Sequence, residues 1–279
     1  MCRSTRRSTA SSPCAACDRV GLLELGATTI ALLVLAGFLA GWVDAVVGGG
    51  GLIQLPALLL VPGITPIQAL ATNKVGSICG TATSSITYYR RVRPDLRTAV
   101  PMAVLAGGGA AVGALSASLL PAAVFRPVIV VALLVVLVYT LLRPTLGEAT
   151  ALRWHGRRHL IAAGGAGLAI GFYDGILGPG TGSFLVFTLV GLLGYAFLEA
   201  SAKAKIVNFA TNLGALAVFI PHGAPLWGLG LAMGGANLLG GYIGARTAVA
   251  KGSGFVRAVF LVVVTALVLR LGYQVLTGA

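Results

Sequence analysis

Asp44 and Asp174 stand inside long apolar stretches, and each is followed within a few residues by a glycine run: Gly48-Gly49-Gly50-Gly51 after the first, Gly178-Pro179-Gly180-Thr181-Gly182 after the second. Asp174 lies 130 residues after Asp44, and the parts come in the same order around both: an apolar helix carrying an acid, a glycine break, an apolar restart. A helix that stops in glycine leaves backbone groups free at its end and at the next helix start, and in an apolar setting they need a protein, water or ligand partner. Two such breaks in corresponding halves of a chain point to the binding site of a transporter. At the restarts, Gly49, Gly50 and Gly51 and their counterparts Gly180, Thr181 and Gly182 would turn partial positive charge toward a bound anion.

Downstream of each break, Ala71-Thr72-Asn73-Lys74 aligns with Ala202-Lys203-Ala204-Lys205, which sets Lys74 opposite Lys205. Helical spacing gives Lys74, Ser77 and Thr81 one shared face, and Lys205, Asn208 and Asn212 another, at i, i+3 and i+7. Each half thus offers a cation followed by hydrogen-bonding groups, the expected substrate-binding set. An ionisable side chain within a membrane span costs at least about 2.5 to 3.5 kcal/mol on insertion scales, and it usually faces an interior cavity. The lysines either bind an anion or pair structurally with Asp44 and Asp174. Two lysines and two aspartates sum to zero, so a standing anion site needs one aspartate protonated or set apart, and a protonatable aspartate is also what proton coupling would use. Lys203, two residues from Lys205, points elsewhere and receives no role.

Other chemistries find little support. Neither glycine run follows a strand, which argues against a dinucleotide site, and no pore-lining signature of a potassium filter accompanies them; close helix packing is the plainer use of such glycines. His155, His159 and His222 lack metal-ligand spacing, and no nucleophile stands near a base, so no enzyme, metal or cofactor is expected. Cys14-Ala15-Ala16-Cys17 has redox-like spacing but lies in a polar stretch without a second pair.

The elements that must carry these residues are helices in a membrane. The sequence is 57% hydrophobic and 10% charged, far below the roughly 25% charged of soluble domains, and its mean hydropathy is +0.94. The net charge of +13 could suggest nucleic acid, but the sixteen arginines sit mainly in short connections and at helix ends, where they orient the chain by the positive-inside rule. An Arg- and Ser-rich, disordered leader is expected over 1–24, then a first membrane repeat over 25–142, a cytoplasmic linker over 143–158 and a second repeat over 159–279. In the first repeat, helices are expected over 26–47, 67–89, 98–120 and 128–142, with a short segment over 52–61 that is too short to cross unaided. The second repeats the plan over 159–177, 183–195, 198–220, 227–249 and 255–273. Arg90-Arg91-Val92-Arg93 is the strongest cytoplasmic signal, and the corresponding loop at Pro221-His222-Gly223 carries no Arg or Lys. Lys251 and Arg257 fall in the next connection, and that alternation favours inverted repeats, in which both short segments cross; re-entrant short segments would leave the halves parallel, the arrangement the basic leader favours. The expected fold is therefore an all-α polytopic membrane protein of eight to ten helical segments in two homologous repeats, with glycine-broken helices.

Taken together, the Asp44 to Gly51 break, Ala71-Thr72-Asn73-Lys74, Gly171-Phe172-Tyr173-Asp174-Gly175, Gly178-Pro179-Gly180-Thr181-Gly182-Ser183 and Ala204-Lys205-Ile206-Val207-Asn208 resemble the TauE/SafE sulfite-exporter family, also called toluene-sulfonate uptake permeases, and within it the YfcA-like subgroup. The resemblance runs from about residue 27 to 275. It implies a multi-pass inner-membrane permease for small anions, often sulfur oxyanions or organosulfonates, built from two homologous halves. Expected partners are a small anionic substrate and the lipid bilayer, without nucleic acid; self-association into a homo-oligomer is left open. A non-transporting membrane scaffold or assembly factor, its internal charges serving helix packing, is the alternative.

Overall fold

The computed structural model of the protein describes residues 26–117, 147 and 149–277. The leader expected over 1–24 and the helix expected over 128–142 lie outside the described residues. Among those described the chain is all helix, with no strand. In order come α1 (Ala27–Val47), α2 (Gly51–Leu59), α3 (Pro66–Val92), α4 (Leu96–Ser116), α5 (Gly156–Ile176), α6 (Thr181–Phe187), a π-helical turn (Thr188–Leu192), α7 (Phe197–Phe219) and α8 (Trp227–Thr277).

The helix boundaries follow local chemistry. α3 opens with a full capping box, in which the Gln68 N–H donates to Thr65 Oγ1 at 3.3 Å while the Gln68 side chain accepts from the Thr65 N–H at 3.0 Å, and Pro66 fills the first helical position. α4 opens on Asp95, whose carboxylate accepts from the Arg97 N–H at 3.0 Å. α1 closes on Gly48, which takes the left-handed conformation (φ 85°) that a side chain resists. The two helices expected over 227–249 and 255–273 are both present, joined within α8 at a kink where Gly252 leaves the helical conformation (φ 75°, ψ −172°). One glycine in a conformation open to it alone makes this kink without a loop.

α2 folds back along α1. Leu58 and Val61, at the far end of α2 and just past it, share an apolar cluster with Leu33 near the start of α1 and with Met233 of α8. α4 packs along α5 and α7, while α8 packs along α1 and α3. Glycines permit the closest approaches: a Cβ at Gly41 of α1 would overlap the backbone of Asn237 on α8, and one at Gly171 of α5 would overlap that of Ala106 on α4. Small residues at such seams let helices touch where lipid removes the usual hydrophobic drive. α3 and α7 run antiparallel, because Lys203 near the start of α7 donates to the Asp95 carbonyl past the end of α3 at 2.9 Å, while the Leu226 N–H past the end of α7 donates to Thr72 Oγ1 near the start of α3 at 3.0 Å.

Among the described residues, three helical stretches, Ala27–Val47, Leu96–Ser116 and Trp227–Ala266, are long and apolar enough to cross a membrane. α3 and α7, at 27 and 23 residues, are long enough too, but each carries a polar face with Lys, Asn, Thr and Ser turned into the bundle. The largest apolar cluster, which includes Val46, Val47, Leu189, Phe197 and Phe260, lies between the break after α1 and the Arg90 end of the bundle.

Candidate functional site

The two glycine breaks meet. Ser183, in the restart after the second break, donates its N–H to the Gly48 carbonyl in the first at 3.0 Å. Gly48 and Gly182 lie so close that a Cβ on either would overlap the backbone of the other. The carbonyls left open at the end of α1 are each capped by a different helix: Ala45 accepts from Tyr88 Oη of α3 at 2.9 Å, Val46 from Ser201 Oγ of α7 at 3.1 Å, and Val47 from Ser183 Oγ of α6 at 3.1 Å. This answers the demand that a helix end inside an apolar bundle makes on its surroundings.

Around this junction the four buried charges form two ion pairs. Lys74 Nζ lies 2.6 Å from Asp174 Oδ2, and Lys205 Nζ lies 2.8 Å from Asp44 Oδ2. Each lysine therefore pairs with the aspartate of the other half of the chain. Asp174 gains a second partner, accepting from Thr181 Oγ1 at 2.6 Å, whereas Asp44 has only a long contact of 3.4 Å from the Gly50 N–H. Neither aspartate is set apart from the lysines.

The ion pairs border a polar cavity of about 10 Å³, the room of a single water molecule. Asp44, Gly51, Lys74, Ser77, Asp174, Thr181, Gly182, Asn208 and Asn212, all expected at the site, line it. Lys205 reaches it through Asp44. Gly49, Gly50 and Gly180 shape the breaks instead, and Gly49 and Gly50 accept the first turn of α2 on their carbonyls. Thr81 returns its hydroxyl to the Ser77 and Ile78 carbonyls of its own helix at 2.9 and 3.2 Å and does not line the cavity. The restart amides are less available than their positions suggest, since those of Thr181 and Ser183 already bond the Gly178 and Gly48 carbonyls. Asn73, absent from the expected set, lines the cavity with an unpartnered Oδ1, across from an unpartnered Nδ2 on Asn212. Its signal was available: Asn73 and Ser77 are four residues apart and so share a helix face. No group of His, Cys, Asp or Glu among the described residues could hold a metal.

Lys203, left without a role above, closes the Arg90 end. Fully buried, its ammonium donates to the Asp95 carbonyl, approaches Glu199 Oε1 at 3.3 Å and Asp95 Oδ2 at 3.9 Å, and sits 4.5 Å from the centre of the Tyr195 ring. Tyr195 Oη donates to Thr98 Oγ1 at 3.1 Å and lies 2.9 Å from His159 Nε2. At Asp95, in the loop before α4, burial pushes the carboxyl up, but the Arg97 N–H, the Thr98 hydroxyl and the Lys203 charge outweigh it and hold the group below the ordinary carboxylate range.

Comparison with known proteins shows the family. The family described as Sulfite exporter TauE/SafE matches residues 33–271. "Probable membrane transporter protein ORF9" of a Sinorhizobium species is 38% identical over 249 residues, covering 89% of this chain and 94% of that protein. "Probable membrane transporter protein" of Haemophilus influenzae is 34% identical over 240 residues, 86% of this chain and 93% of its own length. "Probable membrane transporter protein YfcA" of Escherichia coli K12 is 34% identical over 246 residues, 88% of this chain and 90% of its own length. No solved structure matches. Family and relatives alike indicate a membrane transporter acting on a small substrate, and the chain belongs to the TauE/SafE sulfite exporter family.

Proposed function

We propose that the protein is a multi-pass permease of the inner or plasma membrane that carries a small sulfur-containing anion, such as sulfite or a sulfonate, together with a proton. The observation that carries this reading is the junction of the two breaks, where buried lysines held only by aspartates border a polar cavity with an unpaired donor and an unpaired acceptor on Asn212 and Asn73. With both pairs ionised the site is neutral and an anion has no free cation. A proton delivered to Asp44 releases Lys205, and the arriving anion restores neutrality. Uptake and release of one proton with each monovalent anion follows as electroneutral symport. Asp44 suits that role better than Asp174, because its side chain is 12% exposed against 2% and it lacks the Thr181 hydroxyl that holds Asp174 as an acceptor.

The reading of two inverted repeats rests on three supports. Residues pair across the halves at a spacing of 130 or 131, as in Asp44 with Asp174 and Lys74 with Lys205. α4 lies against α5 and α7 as α8 lies against α1 and α3. Finally, α3 and α7, the corresponding helices, run antiparallel. An inverted pair in which one half rocks against the other is the usual frame for alternating access. The test is flux in proteoliposomes holding an internal pH dye, with a panel of sulfite and small sulfonates outside. Uptake of a panel member with lumenal acidification supports the proposal. Absence of flux across the panel removes it and leaves the scaffold reading, in which the ion pairs serve packing alone.

A further inference from the structure

Two grooves open at the Arg90 end of the bundle, and neither belongs to the junction of the breaks. One, of about 300 Å³, is lined by Thr83, Ile86, Arg90 and Arg91 of α3 and by Tyr242 and Arg246 of α8. Arg246 Nη1 donates to Tyr242 Oη at 2.9 Å, and its guanidinium lies 5.4 Å from the centre of that ring, so the group is held in place before any ligand arrives. The other, of about 490 Å³, shares Arg90 and adds Arg93. Among the described residues no carboxylate lines either groove.

What lies below the arginines decides the ligand. α3 and the first arm of α8 run side by side in the same direction, with Gly230, Gly234 and Gly241 seated against Val75, Cys79 and Gly80. On the outer surface of this pair, Leu239 on α8 is 58% exposed and Ile86 on α3 is 54% exposed, one turn or so before Tyr242 and Arg90 respectively. Along both helices the surface passes from exposed aliphatic side chains to an aromatic ring or directly to guanidinium groups. A soluble oxyanion would use the top of this gradient and leave the rest idle; a phospholipid uses all of it, with acyl chains on Ile86 and Leu239 and phosphate among the arginines. Guanidinium groups suit phosphate by their forked pairs of N–H donors, and basic pockets between helices at the cytoplasmic face are where anionic headgroups bind.

We infer that the groove between α3 and α8 at Arg90, Arg91 and Arg246 is a binding site for an anionic phospholipid of the cytoplasmic leaflet. The inference needs the Arg90 end to face the cytoplasm, as the positive-inside rule assigns it, and does not depend on what the chain transports. A lipid wedged there would touch both α3, which carries Lys74, and α8, which packs along α1.

The experiment is native mass spectrometry of the full chain released from nanodiscs of phosphatidylcholine containing a minority of phosphatidylglycerol, with melting temperature measured on every variant. Wild type should retain phosphatidylglycerol in preference to phosphatidylcholine, and each arginine removed should weaken retention about fivefold, the equivalent of about 1 kcal/mol per basic residue at a charged surface. Arg90→Gln, Arg91→Gln and Arg246→Gln, singly and combined, test this at exposed positions. Tyr242→Phe, which frees the Arg246 guanidinium while keeping its charge, should give a smaller loss. Arg157→Gln with Arg158→Gln, exposed positions on α5 outside the groove, should change nothing. Equal retention of the two lipids by wild type, or full retention by the folded triple variant, overturns the inference. So does displacement of the lipid by millimolar inorganic phosphate, which would mark a site for the free anion.

Discussion

The two buried ion pairs look interchangeable in sequence and differ in structure. Lys74 with Asp174 is sealed, both side chains at most 2% exposed and the aspartate held by Thr181; Lys205 with Asp44 has an aspartate 12% exposed and no side-chain donor beyond the lysine. Asp174 accepts from the Thr181 hydroxyl, whereas Asp44 is offered only the Gly50 backbone amide. Beyond each pair, toward its own end of the bundle, the loop closures differ in the same spirit. Thr72 holds the Leu226 N–H through a neutral bond, and its counterpart Lys203 holds the Asp95 carbonyl through a charge flanked by Asp95 and Glu199. The two pairs thus differ in their surroundings: one is sealed with a hydroxyl on its aspartate, and the other leaves its aspartate partly exposed.

The largest effect should come from the breaks themselves. Gly48→Ala places a Cβ in the Gly182 backbone at a φ that disfavours it, whereas Gly178→Ala has a φ of 83° to overcome but meets only side-chain atoms, those of Lys74 and Leu70, at 3.3 Å or more. The first should abolish recovery of a monodisperse folded protein; the second should lower stability by about 1 to 2 kcal/mol, the cost of a left-handed residue. Equal yields by size-exclusion chromatography would break the proposed asymmetry of the junction.

Next come the ion pairs. Lys74→Gln strands a sealed carboxylate, and breaking such a pair costs about 3 to 5 kcal/mol; Lys205→Gln should cost less, because water can reach Asp44. In each case the paired change, Asp174→Asn or Asp44→Asn, should restore most of the lost melting temperature. Identical losses for the two lysines would erase the distinction drawn between the pairs.

At the two ends, Thr72→Val should cost about 1 kcal/mol, the net worth of an ordinary hydrogen bond, and should speed amide hydrogen exchange around residue 226. Lys203→Met should instead speed exchange in the loop at Asp95. The smallest effect is that of pH. Because the Asp95 carboxyl is depressed by folding, its contribution is present above the ordinary aspartate value of about 3.9 and is lost as pH falls through the lower folded value. Asp95→Asn should flatten the acid end of a stability titration and leave the neutral range alone.

Much of the site was legible because acids, lysines and glycine runs are costly in apolar sequence and therefore sparse. Asp44, Asp174, Lys74 and Lys205 could be found by their cost and matched by their spacing, and the meeting of the breaks followed from that match. Which aspartate each lysine takes was not legible, since the pairing crosses between halves and depends on how α3 and α7 lie against the breaks. Thr81 shows the limit of helical spacing: it shares a face with Lys74 but satisfies its hydroxyl on its own helix, as Thr can. Lys203 was hidden for the opposite reason, its partners being a loop carbonyl and two acids from separate elements. The bend in α8 was legible as the gap between the helices expected over 227–249 and 255–273, and Gly252 alone makes it.

The central claim is that the Lys205 and Asp44 pair is part of the transport site and more than packing. The measurement that tests it most directly is sulfite or sulfonate flux, with lumenal pH recorded, in proteoliposomes of the Asp44→Asn, Lys205→Gln double variant, which keeps the buried site neutral. The account predicts a variant with near wild-type melting temperature that neither accumulates the anion nor acidifies the lumen. A folded double variant that moves anion and proton as wild type does would contradict it.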